Sequence, residues 1–554
     1  MEHEPFGLLP RTSFGLSRRM FLRGSALTAL TLAAGLMPKR AAGVPAATIP
    51  FSLGVASGDP THSSVVLWTR LAVDPLNGGG MTPIPLEVEW TVATDRQMQH
   101  VIRRGRTMAL PEDAHSVHVT VNGLAPDRWY WYQFQTDSAL SPVGRTRTFP
   151  APGSEPRLLR LAFVSCQHWE EGFFTAWQHL AEEEIDFVIH LGDYIYEDGA
   201  SNRGIRRHLP ASEIMSLDDY RNRHAQYRSD PNLQAAHGQF PFIVTWDDHE
   251  VENNYAGDLS ENNRDADAAN DVPAANFRAR RARAYKAYVE HMPIDPQRFA
   301  GGARLDLFRS FAWGRLAEFH VLDTRQFRSN QPCGGAKDLL APTGDDIVTA
   351  CGDELNPEAT MTGAAQEAWL LGGLENSRAR WNVIAQQVMM ASFDFGPGAA
   401  NFDPKLKGLQ VRNVDAWDGY VASRSRLLHF VRNKKLSNLV VLSGDVHSSW
   451  VADLKTDFSD PLSPIVGTEF VGPSITSGFP ASYVPIIHAA MLDRANGHIK
   501  FFDGAVHGYV RCHITPEQWR SDYRGVDTVL LSNASVRTLK SFIVKDGNPG
   551  PLLV

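Results

Sequence analysis

Four hydrophobic runs in this chain each lead into residues that can hold a cation. Leu159 to Val164 leads into Ser165-Cys166, and Phe187 to Leu191 leads into Gly192-Asp193-Tyr194-Ile195-Tyr196-Glu197. Phe242 to Trp246 leads into Asp247-Asp248-His249-Glu250-Val251-Glu252-Asn253-Asn254, and Leu439 to Ser443 into Gly444-Asp445-Val446-His447. One Gly-Asp after a strand is ordinarily a turn. Four such ends together are more specific, because burying several carboxylates without bound cations is prohibitively costly. The donors are hard carboxylate oxygens, one thiolate, one phenolate and imidazoles. Carboxylates suit Ca²⁺, Mg²⁺ or Mn²⁺, whereas a thiolate with a phenolate calls for a more strongly polarising ion such as Fe³⁺.

For those residues to meet, the runs must be strands of one layered α/β unit, in which ligands bind at the carboxyl ends of strands. The segment between the first two runs, Phe173 to Glu184, reads as a helix. Upstream the rhythm differs. Val65–Thr69, Leu86–Val92, His118–Val121 and Trp129–Phe134 alternate at period two between turns, which predicts an antiparallel β-sandwich over residues 47–150. Ala151-Pro152-Gly153-Ser154-Glu155-Pro156 reads as a linker, and the catalytic unit is expected over 157–554.

Ser17-Arg18-Arg19-Met20-Phe21-Leu22-Arg23 precedes an apolar run from Gly24 to Met37, shorter than the roughly 20 residues that span a bilayer. Small residues follow at Ala41 to Ala47, so residues 1–46 read as a twin-arginine signal peptide, with export to the periplasm or medium and no transmembrane anchor in the mature form. Four cysteines in 554 residues exclude a disulfide scaffold. In an oxidising compartment Cys333 and Cys351 can pair across a Gly-, Pro- and Asp-rich loop. A net charge of −8 argues against nucleic acid as a partner.

Taken in order, Ser165-Cys166-Gln167, Gly192-Asp193-Tyr194-Ile195-Tyr196-Glu197, Trp246-Asp247-Asp248-His249-Glu250 and Gly444-Asp445-Val446-His447 resemble the alkaline phosphatase D (PhoD-type) family of metallophosphatases. Leu322-Asp323-Thr324-Arg325-Gln326 and Trp417-Asp418-Gly419-Tyr420 extend the resemblance over nearly the whole chain after the signal. It implies a four-layer α/β/β/α metallophosphatase domain preceded by the smaller all-β sandwich, with Fe³⁺ and Ca²⁺ as cofactors. By that resemblance Cys166, Asp193, Tyr196 and Asp445 are iron-side ligands, with Asp193 bridging, and Asp248, Asn253 and His447 lie on the calcium side. Asp247 is an alternative to Asp248. His249 follows this pair as the catalytic His follows an Asn in the broader metallophosphatase motif, although here Asp248 stands in the place of that Asn.

The expected activity is hydrolysis of phosphate monoesters, and of diesters, by attack of a metal-bound hydroxide, with Asp193 and His249 as catalytic residues and small phosphoesters as substrates. Arg207 and Arg325 are candidate phosphate contacts, with surface pairing as their other reading. Two further readings stand beside this one: a phospholipase D-like phosphodiesterase, and a non-catalytic, metal-stabilised cell-surface binding protein. The beyond-substrate partner is the twin-arginine translocation machinery.

Overall fold

The strand Leu159–Val164 divides its side chains between two cores. Leu159, Leu161 and Phe163 join one apolar cluster, while Ala162 and Val164 join another. Period-two alternation buried on both faces explains why the run is apolar throughout, as expected of a strand covered on both sides. Leu439–Ser443 does the same, with Val440 and Leu442 in the cluster shared with Phe163, and Leu439 and Val441 in a third cluster.

These strands belong to two large sheets. In the computed structural model, which describes residues 50–554 apart from 138, 203, 264–271, 300, 303, 335–338 and 340–346, the first sheet has ten strands. Their order across the sheet is Asn548–Leu553, Val536–Lys545, Gln518–Val526, Gly508–Ile514, Leu159–Val164, Phe187–His190, Pro241–Val244, Val55–Gly58, Ser64–Arg70 and Ser116–Asn122. The four from Leu159–Val164 to Val55–Gly58 are parallel, in register with Val164 opposite His190 and His190 opposite Val244. The second sheet has seven strands, ordered Arg309–Trp313, Ala317–Val321, Trp381–Ala385, Leu439–Ser443, Ile465–Val471, Ser449–Lys455 and Ile499–Asp503. The cluster containing Phe163, Phe187, Ile243, Phe319, Val383 and Leu442 draws on both sheets. Helices Thr175–Ala181 and Ala274–His291 contribute to the cluster on one sheet, and Gly363–Asn376 and Val421–Asn433 to the cluster on the other.

The β-rich N-terminal region forms a five-stranded sheet from Leu86–Ala93, Val101–Ala109, Trp129–Thr136, Ala139–Leu140 and Gly144–Arg147. It shares an apolar cluster with Val55, Val65, Leu67 and Val119. The facing strands of this pair are the far edge of the ten-stranded sheet, so the N-terminal region is hydrogen-bonded into the α/β part through the pairing of Val55–Gly58 with Pro241–Val244. Cys333 and Cys351 form a disulfide, and Cys512 is buried and unpaired. The expected export signal over 1–46 lies outside the described residues. Among the described residues no helix is long and apolar enough to cross a membrane.

Candidate active site

All four ligand-bearing loops meet where the parallel strands end. Two glycines permit the contact. A Cβ on Gly192 would lie 2.4 Å from that of Asp247, and one on Gly444 would lie 2.5 Å from Ser165 Oγ, so any side chain would push the loops apart. The backbone turns sharply at the same points: Cys166, Asp193, Asp445 and His447 all have φ between 51° and 66°, the strained left-handed region that functional sites tolerate. Buried Glu250 ties two loops together by accepting hydrogen bonds from the backbone N–H of Asp193 (3.2 Å), Tyr194 (2.6 Å) and Asp247 (2.8 Å). Arg223 donates to the carbonyls of Tyr196 and Asp198, which fixes the other side of the Asp193 loop.

The result is a cavity of about 670 Å³ with Asp193, Tyr196, Asp248, His249, Asn253, Asp445 and His447 among its lining residues. Potential ligand atoms of Cys166, Asp193 and His447 lie within 4.8 Å of one another, as do those of Asp193, Asp248 and His249, and those of Asp247, Asp248 and Asp445. Asp193 therefore belongs to two groups. Tyr196 donates its hydroxyl hydrogen bond to Asp193 Oδ2 (2.9 Å), lies 3.0 Å from His447 Nε2 and 2.6 Å from Ser477 Oγ, and packs on the His249 ring at 4.2 Å. Neighbouring Tyr194 points elsewhere, to His237 Nε2 at 2.9 Å.

His447 stands with Cys166 and Asp193, and Asp445 with Asp247 and Asp248. The backbone is left-handed at both Asp445 and His447, and the Asp445 carboxylate pairs with Arg325 Nη2 at 2.7 Å. Asp248 lines the cavity and accepts from the N–H of Asn254 (2.6 Å), while Asp247 turns to the Arg325 guanidinium. Asn253 reaches the cavity wall with its Nδ2 donating to Glu261 (2.7 Å).

Neither candidate arginine faces the cavity. Arg325 is 0% exposed, and its guanidinium pairs with Asp247, Asp415 (2.6 Å), Asp445 (2.7 Å) and Asp248 (3.6 Å), which makes it a counter-charge beneath the carboxylates, where a phosphate cannot reach it and surface pairing is equally excluded. Arg207 is exposed and absent from the lining. Its neighbour Arg206 lies over the Trp169 ring and pairs with Asp230 at 2.8 Å.

Glu197 is the residue that sequence reasoning passed over. It is buried, accepts from the N–H of Asn253 (2.6 Å), and holds His249 Nδ1 at 2.6 Å, leaving Nε2 for the cavity. Its place next to Tyr196 in the second block was the available signal, since an imidazole that handles protons is usually oriented by a carboxylate. Burial works against a charged His249, but Glu197, Asp248 and Asp193 outweigh it and raise its pKa well above the ordinary value.

Burial pushes the carboxyl of Asp445 up to about 7 and those of Asp247 and Asp248 upward, with Arg325 pulling the other way. For Asp193 burial is overcome by His249 and His447, which hold its carboxyl below the usual range. The Cys166 thiol and Tyr196 phenol are pushed well up, by burial first and then by Asp193. Asp193 Oδ1 and Asp247 Oδ2 are buried with no hydrogen-bond partner. Crowded carboxylates, two of them with an orphaned oxygen, beside a thiol and a phenol that burial and Asp193 keep protonated, are the donor set of a site completed by cations. The residues present fit a metal centre.

The alkaline phosphatase D family is matched twice along the chain: the model described as "PhoD-like phosphatase" covers residues 161–523, and that described as "PhoD-like phosphatase, N-terminal domain" covers 38–150. The chain belongs to the PhoD-like phosphatase family. It is 47% identical over 505 residues to alkaline phosphatase D of Bacillus subtilis (strain 168), an alignment that covers 90% of this chain and 82% of that protein. A solved structure titled "Structure of PhoD" superposes with a TM-score of 0.82 at 44% identity, covering 92% of each chain. As a PhoD-like phosphatase the chain is a phosphoesterase with a mixed α/β architecture and a β-rich N-terminal region.

Proposed function

We propose that this phosphoesterase is metal-dependent, with Cys166, Asp193, Tyr196 and His447 holding one cation, Asp248, Asn253 and Asp445 a second, and Asp193 shared between them. The observation that carries the reading is the double membership of Asp193, whose Oδ1 is buried without a partner. The thiolate and phenolate donors favour Fe³⁺ at the first position, and the oxygen donors favour Ca²⁺ at the second. When bound, such cations supply Lewis acidity toward a phosphoryl oxygen and a more acidic water. The chain's own residues do the rest. His249, protonated through Glu197, faces the cavity with Nε2 and is placed to give a proton to the departing ester oxygen or to stabilise its charge. The ring of Tyr196 packs against that of His249 at 4.2 Å.

Monoesters and diesters both fit a cavity of about 670 Å³. Support for a four-layer α/β/β/α stack comes from the three apolar clusters, one between the sheets and one beneath the helices on either side. The family matches support an N-terminal unit over 47–150 and a catalytic unit over 157–554. Ser17 to Arg23 and the Cys333–Cys351 disulfide support twin-arginine export to an oxidising compartment.

The test is hydrolysis of p-nitrophenyl phosphate and bis-p-nitrophenyl phosphate before and after chelation, with elemental analysis. Chelation is expected to abolish turnover, Ca²⁺ to restore it, and iron to stay with the protein. Asp193→Asn is expected to lower kcat/KM on the order of 10⁴-fold, whereas Asp218→Asn, whose side chain is 78% exposed, leaves it unchanged. Full activity in metal-free protein would overturn the reading.

A further inference from the structure

The cavity is far larger than its ionic end requires. Four phosphoryl oxygens at about 30 Å³ each, the share of a water molecule, leave most of the 670 Å³ to another part of the substrate. That remaining space is walled by Phe393, Phe395, Trp450, Phe479, Tyr483 and Ile487. The rings brace one another: Phe393 lies 4.7 Å from Phe395 and 5.0 Å from Trp450, and Phe479 lies 5.9 Å from Tyr483. Five of the six are buried, so the wall is preformed.

The charge of the lining points the same way. No Lys or Arg is among the described residues lining the cavity, whereas Asp415 and Asp418 are. Asp415 is paired with Arg325 and Arg328, and Asp418 with Arg424 and, at 3.4 Å, Arg412, so these guanidinium groups are engaged by the protein's own carboxylates. Among the described residues, a second anionic group on the substrate would meet aromatic rings and carboxylates with no Lys or Arg lining the cavity to face it.

Resting on the phosphoesterase reading, we propose that this wall is the subsite for the organic group of the ester, and that it selects apolar, uncharged esters over those with a second anion. Alkyl phosphates test it cleanly, because methyl, hexyl and 5-carboxypentyl phosphate have leaving groups of similar basicity and differ in what must occupy the wall. With release of inorganic phosphate as the readout, kcat/KM for hexyl phosphate is expected to exceed that for methyl phosphate at least about tenfold, mostly through KM. The 5-carboxypentyl ester is expected to lose that gain. In Phe395→Ala and in Phe479→Ala the hexyl-to-methyl ratio should fall toward one. Phe479 is only half-buried, and the wild-type series decides the matter if neither variant folds. A flat wild-type series, or a carboxypentyl ester as good as hexyl, would overturn the subsite while leaving the phosphoesterase standing. Hydrolysis of none of the three, nor of p-nitrophenyl phosphate, would remove the phosphoesterase reading and the subsite with it.

Discussion

At one end of the cavity Asp193, Asp248, Asp445 and His249 are each held by a directed contact: His447 and Tyr196 for Asp193, the Asn254 N–H for Asp248, Arg325 for Asp445 and Glu197 for His249. At the other end Phe393, Phe395, Trp450 and Phe479 are held by packing against one another and against Phe502. The two ends differ in how they respond to change. Directed contacts among buried charges are all-or-none, because removing one partner strands the other in low dielectric. Aromatic packing is graded, since volume lost at one ring is partly recovered by its neighbours. Chemistry is thereby tied to the brittle end and selectivity to the adaptable one.

That contrast breaks first at Arg325. Arg325→Met keeps the volume but leaves Asp247 and Asp415 facing one another, and we expect a loss of about 3–5 kcal/mol in denaturant unfolding. A variant as stable as the parent would show that bound cations alone balance these carboxylates. Next in size is the disulfide on the wall side. Cys351 follows the strand Ile347–Thr349, whose Ile347 lines the cavity, and Cys333 packs with Val348 and Val414. Replacing both cysteines with serine is expected to cost about 3 kcal/mol by loosening the unfolded chain, with metal content unaltered. Loss of iron in that variant would mean that the two ends are less independent than their contacts suggest. Smallest is Glu197→Gln, which keeps a hydrogen bond to His249 but removes the charge. A fall in kcat of roughly 10- to 100-fold at matched metal content is expected, and an unchanged kcat would release His249 from its proton-handling role.

The ionic end was largely readable in advance because each of its blocks is local: an apolar strand and the donors that follow it are contiguous in the chain. What the blocks do not carry is how the loops turn. The left-handed backbone at Asp445 and His447 is set by the fold, and Arg325 is buried by partners from three separate loops. The aromatic wall was invisible, since Phe393, Trp450 and Phe479 share no period and meet only through tertiary packing. The N-terminal strands were recognisable as strands, with Val65–Thr69 inside the observed Ser64–Arg70 and Trp129–Phe134 inside Trp129–Thr136. The membership of Ser64–Arg70 in the ten-stranded sheet was not, because sheet pairing joins residues remote in sequence and Ala151 to Pro156 marks a loop in the chain without marking a break in the sheet.

The same sheet order governs how the chain can be made. Leu159–Val164 pairs on one side with Phe187–His190 and on the other with Gly508–Ile514, so one edge of the parallel core waits for a partner that emerges much later from the ribosome. At a synthesis rate of 5–20 residues per second the wait from residue 164 to residue 508 is on the order of 20–70 s. Throughout that interval the nascent chain carries an open strand edge flanked by Leu161 and Phe163, the kind of surface that pairs with other chains when left bare. Ribosome-bound chains keep that edge open until Gly508–Ile514 arrives, and fragments that end before Gly508 are expected to aggregate rather than to fold.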